Sequence, residues 1–456
     1  MAMQFFNTLT RQKEEFVPIE KNRVNLFVCG PTVYDFPHLG HGKTYTQFDI
    51  LAKSLRYIGY EVFYLQNITD IDDKILNRAK DLEISWKELA EKYEKIYRED
   101  MQALGIDSVN KYARATDFIP EIIKQVNTLM EKGYAYKIPD GVYFETAKFK
   151  SYGKLSGRTE LKENDAVSRI DEAVEKRGWN DFCLWKAEKP GEPSWPSTFG
   201  TGRPGWHIED TAITETNFGP QYDIHGGAVD LIFPHHECEI AQMESASGLA
   251  PLVRYWVHTG FLNIDSKKMS KSLGNFKTIR GMLESGISPM AFRLWVLMSH
   301  YRSPINFSEE ALIGAETALK RLHGLYLDLG EEIGRINQEY QDRFKKFIED
   351  DLDTPQAVAL LWDLLKEKDL PDADKKATVL DFDKVLSLDF KKAELLLKAK
   401  EIIKEEMLPE VLKLINEREQ ARQKKNFKES DELREKINSL GYDVKDTPEG
   451  QQISKL

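Results

Sequence analysis

The run Val24-Asn25-Leu26-Phe27-Val28-Cys29 is apolar almost throughout and stops at Gly30-Pro31-Thr32. An apolar run of that length, closed by a turn, reads as a strand buried on both faces of a parallel sheet. Beyond it come Pro37-His38-Leu39-Gly40-His41-Gly42 and a helical pattern from Lys43 to Tyr57, with Phe48, Leu51, Leu55 and Ile58 three or four apart. Strand, glycine-rich turn and helix in that order open a nucleotide-binding α/β unit, because the amides at a helix N-terminus face anionic phosphate. Gly40 lets a nucleotide approach the backbone closely, and His38 and His41 flank it as donors to phosphoryl oxygens. By itself an HxxH pair fits two unrelated histidines or a metal pair just as well.

A second stretch changes that balance. Lys267-Lys268-Met269-Ser270-Lys271-Ser272 sets Lys268 and Lys271 three apart among hydroxyls and leads into the loop-forming pair Gly274-Asn275. Two ammonium groups on a loop can close on a triphosphate and neutralise the charge that develops as pyrophosphate leaves. Alone it reads as a solvated basic turn; with the histidine motif upstream it reads as half of an ATP site.

Together these residues resemble the class I aminoacyl-tRNA synthetase family, in which HLGH stands for the HIGH motif and KMSKS is literal. Within that family the resemblance is to the cysteinyl-tRNA synthetases. It is carried by FVCGPTVYDFPHLGHGKTY (27–45), NITDIDDKI (67–75), YGKLSGR (152–158) and KPGEPSWPSTFGTGRPGWHIE (189–209). It continues in HGGAVDLIFPHHECEIAQ (225–242), FLNIDSKKMSKSLGNF (261–276) and HYRSPINFS (300–308). The resemblance implies an α/β fold: a Rossmann-type doubly wound parallel sheet split by an insertion, then a C-terminal α-helical bundle and a small tail domain. The expected divisions are 1–114 and 205–265 for the two halves of the catalytic domain, the first with the HLGH motif, and 115–204 for the insertion. The lysine loop and stem-contact region take 266–305, the anticodon-stem bundle 306–400 and a C-terminal tRNA-binding domain 401–456.

The same resemblance implies an ATP-dependent ligase that activates L-cysteine as cysteinyl-adenylate and passes it to tRNA(Cys). His38 and His41 then contact ATP phosphates, and Lys268 and Lys271 stabilise pyrophosphate. Gly40, Gly227 and Asp230 take the nucleotide, with the Asp230 carboxylate on ribose hydroxyls. Thr69 helps hold the amino group of cysteine and Trp206 walls its pocket, while Mg²⁺ arrives with ATP. In this family one zinc per subunit is held by two cysteines, a histidine and a glutamate, and the matching motifs carry three of these onto Cys29, His235 and Glu239. The fourth position holds Asp210.

His235 and Glu239 lie four apart, so on a helix they share a face. Cys238 is the alternative donor, although its spacing from His235 points it elsewhere. Carboxylate for thiolate leaves the summed ligand charge unchanged but gives a harder donor, so a more Lewis-acidic and looser site is expected. The purpose of such a site is chemical. Cysteine and serine are near-isosteres that shape separates weakly, whereas a metal that takes thiolate separates them by a bond.

Composition bounds less. A net charge of −11 excludes a generally sticky nucleic-acid binder, so tRNA contact must come from local patches. One candidate is Arg418, Arg422, Lys424, Lys425 and Lys428, which equally fits a solvated helix interleaved with Glu417, Glu419 and Glu429. Asp446-Thr447-Pro448-Glu449-Gly450 matches a family turn, but Ile453 stands where the family carries an anticodon-reading tryptophan. No run of eighteen apolar residues and three widely spaced cysteines point to a cytoplasmic, membrane-free protein, expected as a monomer. Buried strands are expected at Tyr222–His225 and Asp230–Phe233, and a solvated turn region at Lys366–Lys376. Two rivals stand: a ligase resembling mycothiol ligase that joins cysteine to an amino sugar, and a paralogue that binds without catalysis.

Overall fold

A short antiparallel hairpin, β1 (Gln4–Asn7) and β2 (Gln12–Glu15), leads into β3 (Arg23–Val28), where Val24, Leu26, Phe27 and Val28 are fully buried. The computed structural model describes residues 3–158, 175–264, 267–268, 277–395, 409–424, 426–447 and 450–455. Helix α1 (Leu39–Tyr57) returns the chain to β4 (Glu61–Ile68), parallel to β3 with Leu26 opposite Tyr64. Helices α2 (Asp73–Asp81) and α3 (Trp86–Ala103) then lead to β5 (Lys111–Arg114).

The chain next leaves the sheet. Helix α4 (Ile119–Glu131) precedes a four-stranded antiparallel sheet of β6 (Ala135–Ile138), β7 (Gly141–Phe144), β8 (Phe182–Ala187) and β9 (Gly202–Pro204). It returns through α5 (Ile208–Phe218) to β10 (Tyr222–Ala228), α6 (Glu237–Ser247) and β11 (Val253–Thr259). The main sheet has the order β11-β10-β3-β4-β5, every pair parallel. Winding outward from β3 in both directions makes the β3/β10 junction the switch point, where connections diverge and leave a crevice at the carboxyl ends of the strands. That crevice is where Cys29, Thr69 and the end of β10 converge.

Strands β12 (Leu262–Ile264) and β13 (Lys267–Lys268) pair antiparallel, and β14 (Ile305–Phe307) lies parallel to β12. Between them run α7 (Ile279–Glu284) and α8 (Pro289–Leu297). The helical part follows as α9 (Glu309–Leu327), α10 (Gln338–Glu349), α11 (Thr354–Lys366) and α12 (Asp372–Leu386). Helix α9 buries Leu312, Ala315, Leu319 and Leu322, and α11 buries Ala357, Leu360, Leu361 and Leu364, the stripes that helical spacing predicts. The tail pairs helices Pro409–Gln423 and Phe427–Ser439 with a hairpin of β15 (Tyr442–Thr447) and β16 (Gly450–Lys455). Gly441, at φ +87°, ends its helix in the left-handed region that favours glycine. No helix among the described residues is long and apolar enough to cross a membrane.

Three local expectations are corrected. Helix α1 begins at Leu39, not Lys43, because His38 caps it: the His38 side chain accepts from the His41 amide while His41 reaches back to the His38 amide. Asp230–Phe233 is not a strand, since β10 ends at Ala228 and 229–236 form helical turns interrupted by a single extended residue, Phe233; a short apolar run has no period that tells strand from helix. Within Lys366–Lys376, α12 starts at Asp372, and Lys375 and Lys376 are buried. Lys376 Nζ lies on Gly330 O and pairs with Glu394, so its ammonium is held by an acceptor and a carboxylate and not by bulk water.

Candidate active site

Cys29 follows β3 directly, at the head of the crevice, with its Sγ 3.2 Å from the Nε2 atoms of both His225 and His236. Asp210 reaches the same space from the first turn of α5 and Glu239 from the first turn of α6. His235 Nε2 lies 2.9 Å from Asp210 Oδ2 and 3.1 Å from Glu239 Oε1, and Asp210 Oδ2 lies 3.5 Å from Cys29 Sγ. The donor atoms of Cys29, Asp210, His235 and Glu239 lie within 4.8 Å of one another, and all four residues are buried. A second set, Cys29, His225, His236 and Glu239, shares two of these residues and meets the same distance limit.

Electrostatics asks for a cation here. Burial, then the charges of Glu239 and Asp210, push the Cys29 thiol well above its ordinary value. Burial and Asp210 likewise raise Glu239. Asp210 Oδ1 is buried without a hydrogen-bond partner. Packing anionic donors together out of water is unfavourable unless a positive charge binds among them. One thiolate, two carboxylates and an imidazole suit zinc, which takes sulfur, nitrogen and oxygen ligands in fourfold coordination. His235 is pre-oriented for that role, because its Nδ1 lies 2.8 Å from His207 Nδ1 and its Nε2 faces the carboxylates. Cys238 is elsewhere: fully buried, it sits 3.4 Å from the Tyr152 hydroxyl, in neither donor set.

The histidine motif opens the next element, α1. His38 and His41 stack with ring centroids 3.6 Å apart. Each ring uses Nδ1 as an acceptor, for the other's amide, which assigns its hydrogen to Nε2. Burial and the neighbouring His38 hold the His41 ring well below the ordinary imidazole value, so it stays neutral near pH 7. Gly40 is half-buried in the same turn. Across from it, Leu39 N donates to Lys277 O (3.0 Å) and Ile279 N donates to Pro37 O (3.0 Å). The histidine motif and the segment just after the lysine motif are thus joined through their backbones, although about 240 residues separate them in the chain. Lys271 lies outside the described residues; of Lys268 only the backbone is described, in β13.

Gly227 lies buried near the end of β10, where a Cβ would come within 2.9 Å of the His236 ring. Asp230 is exposed in the turn that follows. Gly30 is a stricter case, since a Cβ there would fall 1.7 Å from Asn67 O, so β3 and β4 meet at the crevice only because this residue is glycine. Thr69 accepts an amide from Val33 and donates its hydroxyl to Glu209. Trp206 is 39% exposed and its ring stacks on His235 at 4.5 Å, covering the donor cluster from the solvent side.

Several residues here escape a reading of the sequence. His225 and His236 lie within the HGGAVDLIFPHHE motif, but it takes the register of β10 against β3 to bring His225 to Cys29 and the turns after β10 to bring His236 there. They continue inward: His236 Nδ1 is 2.8 Å from His258 Nε2, and His258 Nδ1 is 2.7 Å from Thr8 Oγ1. Glu209 and His207 flank the tryptophan and aspartate in sequence, and that adjacency was the available signal.

In the tail, Arg418 is buried and makes a bidentate pair with Asp446 (2.8 Å to each oxygen), while Arg422 also reaches Asp446 at 2.9 Å. Arg418 is therefore a structural cation inside the tail and neither a phosphate contact nor part of a solvated face. Lys424 and Lys428 are exposed, and Lys425 lies outside the described residues. Ile453 is half-buried against the small core of Val411, Ile415, Ile437, Tyr442 and Val444.

Comparison with known proteins identifies the family. Residues 15–317 match the family described as tRNA synthetases class I (C) catalytic domain, and residues 405–453 the family described as Cysteinyl-tRNA ligase anticodon binding domain. The chain is 42% identical to the cysteine–tRNA ligase of Caldicellulosiruptor saccharolyticus, with all of both chains covered. It is 45% identical to that of Thermoplasma volcanium over 97% of this chain and 98% of the relative. In fold it is similar to Mycobacterium tuberculosis methionyl-tRNA synthetase in complex with methionyl-adenylate, at a TM-score of 0.56 and 16% identity over 80% of this chain and 90% of the other. It is also similar to a LeuRS of Agrobacterium radiobacter, at a TM-score of 0.57 and 11% identity over 83% and 85%.

Proposed function

Given that the chain belongs to the cysteine–tRNA ligase family of class I aminoacyl-tRNA synthetases, we propose that it selects L-cysteine at the β3/β10 crevice, activates it with ATP and transfers it to tRNA(Cys). The observation that carries this reading is the convergence of Cys29, Asp210, His235 and Glu239 within 4.8 Å, beside the His38/His41 pair. In the first step a carboxylate oxygen of cysteine attacks the α-phosphorus of ATP, the bond to the β-phosphate breaks, and pyrophosphate leaves with Mg²⁺. In the second a ribose hydroxyl of the terminal tRNA nucleotide attacks the carbonyl carbon, and AMP leaves. Neither step needs a covalent enzyme intermediate.

Cys29, Asp210, His235 and Glu239 would hold zinc, which when bound supplies a Lewis-acidic site that takes a thiolate and rejects an alcohol. His38 and His41 donate from Nε2 to phosphoryl oxygens, with Gly40 giving the nucleotide room. Gly227 and Asp230 receive the adenosine, the carboxylate bonding ribose hydroxyls. Lys268 and Lys271 neutralise the departing pyrophosphate. Thr69 receives the amino group and Trp206 closes the pocket over it. The chain divides on this reading into catalytic halves at 1–114 and 205–265, an insertion at 115–204, the lysine-loop region at 266–305, a stem-binding bundle at 306–400 and a tRNA-binding tail at 401–456.

The test is pyrophosphate exchange into ATP with cysteine and with serine, followed by charging of tRNA(Cys). Exchange with cysteine alone and esterification of the tRNA are expected. Exchange with both amino acids would remove the metal's selective role. A product on an amino sugar and none on tRNA would favour the rival ligase.

A further inference from the structure

The crevice holds one more acid than a metal requires. Glu209 precedes Asp210 on the first turn of α5, is 1% exposed, and accepts the hydroxyl hydrogen of Thr69. It belongs to neither donor set around Cys29. Among the described residues no lysine or arginine forms an ion pair with Glu209, Asp210 or Glu239. Asp210 Oδ1, buried without a hydrogen-bond partner, is an acceptor that a bound cation would use. A metal held there would satisfy Cys29, Asp210 and Glu239 and leave Glu209 without a positive partner, the arrangement a buried carboxylate tolerates least.

Resting on the cysteine-activating reading of this site, we propose that Glu209 is the counter-charge for the α-ammonium group of the substrate. Three features place it there. Asp210 and Glu209 are consecutive on the first turn of α5 and diverge, Asp210 toward Cys29 (3.5 Å) and Glu209 toward Thr69, so the thiol-binding and ammonium-binding acids are separate but neighbouring, as the thiol and amine are on adjacent carbons of cysteine. The Thr69 hydroxyl donates to Glu209, and its oxygen, which takes only a long contact from Asn67 Nδ2 (3.4 Å), keeps a second acceptor site, so an ammonium group with three hydrogens can bond Thr69 and Glu209 together. Thr69 itself is pinned, its amide donating to Pro31 O (3.1 Å) and its carbonyl accepting from Val33 N (3.2 Å). The site thus reads both ends of an aminothiol, and a thiol lacking the amine forfeits the second contact.

The probes are L-cysteine and 3-mercaptopropionate, which is cysteine without its amino group, competing on the metal-loaded full chain. Glu209→Gln is isosteric and neutral. It is expected to raise the KM for cysteine roughly 10- to 100-fold, the value of one charge-assisted hydrogen bond. The inhibition constant of 3-mercaptopropionate, the KM for ATP and the bound-metal content are expected to stay as in the wild type. Glu209→Asp keeps the charge and is expected to recover part of the loss, which also serves if the glutamine variant does not fold. Unchanged cysteine binding in Glu209→Gln overturns the proposal, as does an equal loss of cysteine and the amine-free analogue in either variant, which would mark a structural role. Absence of cysteine-dependent exchange in the wild type would instead overturn the reading on which this one rests.

Discussion

A carboxylate at position 210 keeps the charge of the donor cluster but hardens it, and the consequence is measurable. Asp210→Cys puts a second thiol in place of the carboxylate whose Oδ2 now lies 3.5 Å from Cys29 Sγ and 2.9 Å from His235 Nε2. Softer donors bind zinc more tightly, so affinity is expected to rise on the order of tenfold or more, about 1.4 kcal/mol per decade. Competition with a chromophoric chelator reads it directly, and Cys238→Ala is expected to leave it unchanged. No gain in Asp210→Cys would remove Asp210 from the donor set. At this scale the sequence was informative where motif spacing carries the chemistry: Cys29, His235, Glu239 and Asp210 stand in separate segments that the structure gathers. It was silent on Glu209, His225 and His236, whose surroundings depend on three chain segments meeting at the ends of β3 and β10. No local period reports such a meeting.

At the scale of elements, α1 carries the argument. Its first turn holds the two histidines, and one turn on, Lys43 is 1% exposed, its Nζ donating to Gly260 O (2.6 Å) and Tyr301 O (3.3 Å). These carbonyls precede β12 and β14, so Lys43 ties α1 to the sheet that the lysine motif enters. Burial pushes its ammonium down from 10.5 to about 8. Between those values the unfolded chain keeps the proton and the folded chain gives it up, so stability rises with pH through that window. The full span amounts to about 3 kcal/mol. Denaturant titrations of wild type and Lys43→Met at pH 7.5 and pH 10 are expected to show the wild type gaining on the variant by a large part of that sum. Parallel curves would mean that Lys43 titrates normally. The helix itself was legible from its apolar spacing, but its first turn was not, because histidine is a rare cap and the reciprocal bonds that make it one appear only in three dimensions. The stretch Asp230–Phe233 failed for a related reason: three apolar side chains have no period.

For the whole molecule the question is what makes the catalytic sheet and the helical bundle one mechanical body. Helix α1 faces both, burying Phe48, Leu51 and Leu55 in the catalytic core and Ile50 in the core of the bundle. At the seam Arg293 of α8 is fully buried, donating to Leu386 O at the end of α12, to Leu104 O and Gly105 O after α3, and to Asp49 Oδ2 of α1 (2.6 Å). Burial alone would raise the Asp49 carboxyl, but Arg293 and then Lys53 bring it below its ordinary value. A pair of this kind adds little over an apolar packing, yet breaking it from one side leaves the buried Asp49 with Lys53 (2.9 Å) as its one remaining cation among the described residues. Arg293→Met is therefore expected to cost about 3–5 kcal/mol in chemical denaturation. Asp49→Asn on top of it is expected to return part of that loss, since Lys53 retains Asp107 at 2.8 Å as a partner. The variant is also expected to resolve one unfolding transition into two, because the shared arginine holds backbone from both cores. A loss below about 1 kcal/mol, the range of an exposed pair, would show that apolar packing along α1 alone joins the catalytic and helical parts.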